Sequence, residues 1–353
     1  MKPLVTALVD TYNHESYIEQ ALISVLEQGL SPAELEIVVV DDGSTDRTPE
    51  IIQQFAPRVR YVRKKNGGQA SALNAGFAEA QGEIVALLDA DDYWLPGKLH
   101  RVIKGFEQHP EAGLVYHRLR DYDMQTGEQR DAPFEPVSGF VAESVTKVLL
   151  FGGVTTTSLA FRRSVVESLL PIPEELRIQA DAYIATLSTF LAPVVAVEEA
   201  LAVYRIHDGN LYFSAAGDMD LERMKRRIAT RRALANGVRT WLKSRGYSLW
   251  EPPIRATVRR WVLVSEQDEF ALSEPGRVRF FLHLIRYNRQ YRPLMKFRLH
   301  LINYFNAFAG LVVGYKNLPR LNRIREDLTR WTRARLLRTV TQLPTDANPK
   351  KSR

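Results

Sequence analysis

Three acids, Asp89, Asp91 and Asp92, follow directly on the apolar run Ala86-Leu87-Leu88. Carboxylates this close repel one another unless a cation or a proton relieves them, and Mg2+ or Mn2+ bridged to substrate phosphates is the usual relief. Helix capping by Asp91 or Asp92 near Trp94 accounts for one acid, not three. A second pair, Asp41-Asp42, ends the apolar run through Val39-Val40 and opens the turn Gly43-Ser44-Thr45-Asp46. Acids at the carboxyl ends of parallel strands face the crevice where nucleotides sit and can accept hydrogen bonds from a base or ribose. The alternative is an ordinary Asp-Gly turn with solvated acids. Between the two constellations lies Asn66-Gly67-Gly68-Gln69-Ala70, followed by Asn74 and Gly76. It reads as a flexible turn feeding a helix N-terminus, an end that suits anions. The Gly-x-Gly-x-x-Gly dinucleotide spacing is absent here and in the first strand-to-helix turn, which argues against a dehydrogenase.

The elements that must carry these residues are legible as alternating strands and helices. Residues 4–9, 35–40, 60–62 and 84–88 are short apolar or β-branched runs, and residues 17–28, 49–55 and 70–80 have helical spacing. That alternation predicts a parallel α/β sheet. Beyond Asp89 the pattern predicts a helix at 97–109, a strand at 114–117, a polar stretch through Pro136 and a helix near 143–151. A strand at 158–161, helices at 163–169 and 180–191, and a strand at 194–204 complete one domain ending near Asp218.

The chain resembles the glycosyltransferase family 2 proteins with the GT-A fold over roughly residues 4–218. The resemblance is carried by Thr11-Tyr12-Asn13 after the first strand, Val40-Asp41-Asp42-Gly43-Ser44-Thr45-Asp46 after the second, and Asn66-Gly67-Gly68 with Asn74 and Gly76. Asp89-Ala90-Asp91-Asp92 and Tyr204-Arg205-Ile206-His207 complete the series. It implies a Rossmann-like, mostly parallel sheet flanked by helices, with a basic, mainly helical C-terminal region. It also implies that Thr11, Tyr12 and Asp42 contact the nucleoside, and that Asn13, Asn66, Gln69, Asn74 and Ala90 belong to the donor-binding segments. Asp89 and Asp91 would form an Asp-x-Asp motif that holds the diphosphate through Mn2+ or Mg2+, with His207 touching the metal or the diphosphate.

Members of the family are similar in being inverting, with a carboxylate near a helix start, about one hundred residues past the metal motif, removing the acceptor proton. Asp181 in Gln179-Ala180-Asp181-Ala182 fits that place, although many relatives carry a Glu-Asp pair where this chain has Ala180-Asp181. An acid complementing the helix dipole is the plainer reading of the same residue. Asp10 stands where relatives often have Pro or another uncharged residue, adding an acid near the nucleoside. The expectation is inverting, metal-dependent transfer from a nucleotide-diphosphate sugar to a glycan, lipid-linked or other hydroxyl acceptor, in cell-surface polysaccharide or glycoconjugate synthesis. Alternatives are a catalytically inactive nucleotide-sugar-binding protein on the same fold, or a nucleotidyltransferase. The latter would want a Gly-rich loop that Thr11-Tyr12-Asn13-His14-Glu15 does not provide.

With no cysteine in 353 residues, disulfides and thiolate metal sites are excluded, and a metal must take oxygen or imidazole ligands. Through Asp220 the chain has 18 Lys and Arg against 32 Asp and Glu, a net −14; beyond it the count is 30 against 9, a net +21. Residues 219–343 read as basic helices, at 221–241, 254–265, 278–287 and 295–311, and residues 344–353 as a disordered tail. The basic half is either a cap on the acidic domain or an attachment to an anionic membrane surface. It matches no nucleic-acid recognition motif, and the acidic half would oppose a polyanion, so no nucleic-acid partner is expected. The first residues lack the pattern of a secretory signal and the longest weakly polar run is about half of the roughly 20 residues needed to cross a bilayer. The expectation is a cytoplasmic protein, peripheral at the inner face of the cell membrane if the basic helices bind lipid.

Overall fold

The computed structural model describes residues 3–151, 154–207, 209–210, 221–273, 276–291, 304–309 and 311–312. The chain forms two compact units, Met1–Glu269 and Phe270–Arg353. The first opens with β1 (Val5–Thr11), α1 (Ile18–Leu26), β2 (Leu35–Asp41), α2 (Thr48–Gln53), β3 (Arg60–Arg63), α3 (Gln69–Glu79) and β4 (Ile84–Asp89). Their strands are parallel, in the spatial order β3-β2-β1-β4. Val5 and Ala7 through Val9 of β1 and Val85 through Leu88 of β4 are all fully buried, because a parallel strand covered on both faces needs apolar residues at successive positions. Val5, Ala7 and Val9 join Ile18, Leu22 and Val25 of α1 in one core. Leu8 faces α3, where a Cβ on Gly76 would lie 2.3 Å from Leu8 Cδ1; glycine lets the helix settle onto the strand.

Past β4 the sheet becomes mixed. The chain continues through β5 (Tyr93–Trp94), α4 (Lys98–Gln108), β6 (Leu114–Asp123), β7 (Gln129–Asp131), α5 (Val145–Leu150), a 3-10 turn (Thr156–Ser158), β8 (Leu159–Arg162), α6 (Arg163–Glu167), α7 (Ala180–Ser188) and β9 (Val194–Ile206). The full order is β3-β2-β1-β4-β8-β6-β9-β5, with β7 on β6. β8 runs against both β4 and β6, while β9 is parallel to β6 and antiparallel to β5. Entering the sheet from the opposite end sets the 3-10 turn beside the carboxyl end of β4. The predicted polar stretch after residue 117 is in part the end of β6 and its hairpin with β7.

Three longer helices follow: α8 (Leu221–Ser244), α9 (Pro252–Leu272) and α10 (Arg277–Tyr291). α8 buries Ile228, Leu234, Ala235, Val238 and Leu242 and packs on α7. Arg260 of α9 donates to the carbonyls of Val148 and Phe151 at 3.1 and 2.7 Å, tying that helix to the end of α5. In the second unit Phe280, Leu284 and Ala307 make a small core with Phe281 and Ile285. Of the predicted helix at 295–311, residues 304–309 and 311–312 are described and helical; the predicted tail at 344–353 lies outside the described residues. No helix of the described residues is long and apolar enough to cross a membrane.

Candidate active site

The apolar core of the sheet ends abruptly at Asp89. The Ala90 amide continues the β1 pairing by donating to Asp10 O at 3.1 Å, and the Asp92 amide then turns back onto Asp89 O at 3.0 Å. This tight turn brings a carboxylate oxygen from each of Asp89, Asp91 and Asp92 within 4.8 Å of the others. The three acids are not equivalent. Asp92 is fully buried, and its oxygens are taken by the Thr157 hydroxyl at 2.6 Å and the Arg205 amide at 3.0 Å. It anchors the turn and leaves Asp89 and Asp91 facing the crevice.

Asp91 Oδ2 lies 3.3 Å from His207 Nε2 and 3.4 Å from Asn210 Nδ2. The Gly209 amide donates to His207 Nδ1 at 3.1 Å, which assigns the ring proton to Nε2 and makes the histidine a donor to Asp91. Burial pushes the Asp91 carboxyl up, but the His207 bond and the nearby His14 outweigh it and hold the group below the usual range. Tyr17 stacks on His207 with ring centroids 4.8 Å apart, and Arg205 lies over Tyr17 and Tyr93 while donating to Asp91 O at 2.6 Å.

Asp10 completes the acidic group. It stands opposite Asp89 in the β1–β4 register, and its Oδ1 is shut off from solvent with no hydrogen-bond partner among the described residues. Burial, then the charge of Asp91, raises Asp10 to about 7; Asp89 is driven well above its ordinary value by burial and by Asp10, Asp91 and Asp92 in turn. Hard oxygen donors crowded until burial and mutual repulsion favour their protonated forms fit a small divalent cation such as Mg2+ or Mn2+.

The second acid pair divides its labour. Asp41 is wholly buried, accepting from the Ser44 amide and the Tyr61 hydroxyl, each at 2.7 Å. Asp42 accepts from Lys64 Nζ at 2.8 Å, Gly67 N at 2.9 Å and Gly68 N at 2.6 Å. The anion at the start of α3 is therefore this chain's own carboxylate. The next two amides, of Gln69 and Ala70, donate to the carbonyls of Arg177 and Leu176. Gly68 has φ +86°, and a Cβ there would meet Arg177 Cα at 2.6 Å, so this close crossing requires glycine.

The other residues singled out in the sequence fall into two groups. Thr11 is buried, with its hydroxyl 3.3 Å from His14 Nδ1; Tyr12 is 44% exposed; Asn13, at φ +57°, accepts from the Thr45 amide at 2.7 Å. These line the ends of β1 and β2. Asn66 accepts from Arg177, and Asn74 donates to and accepts from the Ile172 backbone at 2.9 and 2.8 Å. Gln69 donates to Thr156 Oγ1 and accepts from the Ala180 amide, each at 2.9 Å. Gln69 and Asn74 thus stitch α3 to later parts of the chain.

Asp181 sits in the first turn of α7, its oxygens held by the Thr156 amide at 3.0 Å and the Ala182 amide at 2.7 Å. Burial raises its pKa against the pull of those amides. Thr156 bonds Asp181 while the next residue, Thr157, bonds the Asp89 amide and Asp92, so the acid of α7 lies beside the acids of the β4 end. Sequence reasoning passed over Thr156 and Thr157, which touch both. The only available signal was a run of four hydroxyl residues, Thr155 to Ser158, set before an apolar strand.

A crevice of acids at the carboxyl edge of a sheet with this strand order is the architecture of GT-A proteins. The chain superposes on Staphylococcus aureus TarS residues 1–349 in complex with UDP-GlcNAc with a TM-score of 0.60, at 19% identity, over 92% of each chain. It superposes on the mannosyltransferase PcManGT of Pyrobaculum calidifontis, in complex with GDP-Man and Mn2+, with a TM-score of 0.51 at 20% identity, covering 89% of this chain and 88% of that one. In sequence, residues 6–170 match the Glycosyl transferase family 2 profile. An uncharacterized glycosyltransferase of Nostoc sp. is 38% identical over 223 residues, which take in 60% of this chain and 67% of that protein. The chain belongs to glycosyl transferase family 2 and is a glycosyltransferase by family.

Proposed function

We propose that this chain transfers a sugar from a nucleotide-diphosphate donor to a hydroxyl of a glycan or lipid-linked acceptor, with inversion at the anomeric carbon. The observation that carries the reading is the turn at Thr156 and Thr157, which bonds Asp181 through one residue and the Asp89–Asp92 turn through the next, setting the acid of α7 beside the acids at the end of β4. The donors named for the TarS and PcManGT structures, UDP-GlcNAc and GDP-Man, support the donor class, and Mn2+ in the latter supports a divalent cation. Residues 1–218 are assigned to the catalytic domain, 219–343 to a helical basic region and 344–353 to a tail.

Asp89 and Asp91 would hold Mn2+ or Mg2+, whose chemistry is to neutralise charge on the departing nucleoside diphosphate. His207 keeps Asp91 oriented through its Nε2 proton, and Thr11, Tyr12, Asn13 and Asp42 border the nucleoside end. Asp181 accepts the proton of the acceptor hydroxyl as that oxygen bonds to the anomeric carbon, while the bond to the diphosphate oxygen breaks with its electron pair going to the leaving group. A carboxylate raised by burial is better matched to that task near neutral pH than an ordinary one.

A second feature favours an anionic membrane surface as partner. In the second unit Val278, Leu282, Phe308 and Val312 are exposed, at 63%, 59%, 57% and 71%, and Arg277, Arg279, Arg286 and Arg289 are exposed on the same α10 helix as the first two. Apolar side chains flanked by arginines suit a lipid interface.

The test of the transfer reading is calorimetric titration with UDP, GDP, dTDP and CDP, each with and without Mn2+. Mn2+-dependent binding of one of them, lost in Asp91→Ala, is the expected result; binding of none, with or without metal, overturns the reading.

A further inference from the structure

The 3-10 turn Thr156–Ser158 belongs to neither the metal motif nor the α7 acid, yet it is bonded to both. At its metal end the Thr157 hydroxyl accepts from the Asp89 amide at 3.2 Å and donates to Asp92 Oδ2 at 2.6 Å. At its other end the Thr156 amide donates to Asp181 Oδ2 at 3.0 Å, and Thr156 Oγ1 accepts from Gln69, which also receives the Ala180 amide that opens α7. The turn is closed on itself by the Ser158 hydroxyl, which donates to Thr155 O at 2.8 Å and accepts from the Thr155 amide at 3.2 Å. Underneath, Lys98 is fully buried, its Nζ 2.7 Å from Thr157 O and 4.1 Å from the Trp94 ring centroid. Thr156, Thr157 and Ser158 are buried too, so water cannot replace these bonds.

We propose that Thr157 and Thr156 are positioning residues that fix the separation between the acids at the end of β4 and the acid of α7, with Lys98 as the prop beneath them. The inference rests on the transfer reading above. Adjacent residues are tied about 3.8 Å apart at Cα, so bonding one to the metal motif and the next to Asp181 leaves the two ends little freedom to drift. Transfer needs that constraint, because an acceptor oxygen must be held within about 3–3.5 Å of the carbon it attacks while its proton faces the base. The Thr157 hydroxyl has to give one hydrogen bond and receive another. Serine can do both; valine, with nearly the same shape, can do neither.

The experiment uses the full chain, with UDP, GDP, dTDP and CDP as binding probes and a sugar ester of whichever nucleotide binds as donor. Mn2+ midpoint, kcat, KM and Tm are measured for the unsubstituted chain, Thr157→Val, Thr157→Ser and Gln69→Leu. Thr157→Val is expected to raise the Mn2+ midpoint about tenfold and lower kcat at saturating Mn2+ by at least about tenfold, with donor KM within about threefold. Thr157→Ser is expected to restore both, and Gln69→Leu, acting only at the α7 end, to lower kcat with the Mn2+ midpoint unchanged. An unaltered kcat and midpoint in Thr157→Val overturn the proposal, as does a Thr157→Ser chain as impaired as Thr157→Val. Should Thr157→Val fail to fold, an unaltered kcat in Gln69→Leu overturns it. An unsubstituted chain that binds none of the four nucleotides sinks the transfer reading and this proposal with it, whereas failure confined to the variants leaves the transfer reading standing.

Discussion

Asp10 and Asp89 stand opposite each other in the parallel register of β1 and β4, at the crevice end of both strands and next to Asp91. Burial and the neighbouring acids favour the protonated form of each carboxyl, so without a cation this end of the two strands keeps protons that ordinary carboxyls release. Ionisation sets like charges side by side next to Asp91.

Stability of the metal-free chain should therefore depend on pH in an unusual direction. Asp10 is raised from 3.8 to about 7, so between those values the folded chain binds more protons than the unfolded one. The stability linked to this proton, which burial and then the charge of Asp91 favour, is fully present below about pH 4 for this group and is lost as pH rises through about 7. Tm is expected to fall between about pH 5 and pH 8 without metal, to recover on adding Mn2+ at the upper end, and to fall less steeply in Asp10→Asn, where buried Asp89 alone of the pair still titrates. Thermal melts across that range check it; an Asp10→Asn chain with the original slope would remove the pair as its source.

Asp181→Asn keeps the shape of the side chain and its bond from the Thr156 amide while abolishing proton acceptance. The expected outcome is a kcat lower by about 10²–10⁴ with nucleotide binding intact. Single-turnover kinetics beside calorimetry separate the two effects, and normal turnover would exclude Asp181 as the base.

His207 reaches the metal motif through Asp91, with its Nδ1 already receiving the Gly209 amide. His207→Ala should then weaken Mn2+ by about 10- to 100-fold, the range for a partner that orients a ligand. His207→Asn, which offers a donor of its own, should recover part of the loss. A Mn2+ titration followed by calorimetry reads both; equal losses in the two variants would favour direct coordination by the imidazole.

The parts of this site legible in the sequence are those that depend on burial along one element. Unbroken apolar runs at 37–40 and 84–88 mark strands covered on both faces, and the acids that follow them mark the crevice edge. The direction of β8 is not legible, because it depends on the end from which the chain re-enters the sheet. β5 has two residues, too few to show any period. The same limit applies to side chains. Asn74 reads as part of a glycine-rich donor segment, but its amide is clamped to Ile172, 98 residues away. Asp42 reads as a nucleoside contact from its place after β2, and only the folded loop reveals that it holds the Gly67 and Gly68 amides ahead of α3.

The exposed face of the second unit predicts lipid binding that depends on charge. Each arginine near an anionic surface contributes roughly 1 kcal/mol, screened by salt. The chain should sediment with vesicles containing anionic lipid, less so at about 0.5 M salt, and weakly with zwitterionic ones. Val278→Asp with Leu282→Asp should abolish the association. Equal sedimentation with both kinds of vesicle would count against an electrostatic partner.

The start of α3 has consequences for inhibitor chemistry. The two amides leading into it, of Gly67 and Gly68, are taken by Asp42, and its first two, of Gln69 and Ala70, by the carbonyls of residues 177 and 176. A diphosphate mimic therefore finds these four amides already engaged. Compounds that imitate only the phosphates should bind poorly, and a useful ligand for this crevice would carry a chelating head that shares a cation with Asp89 and Asp91.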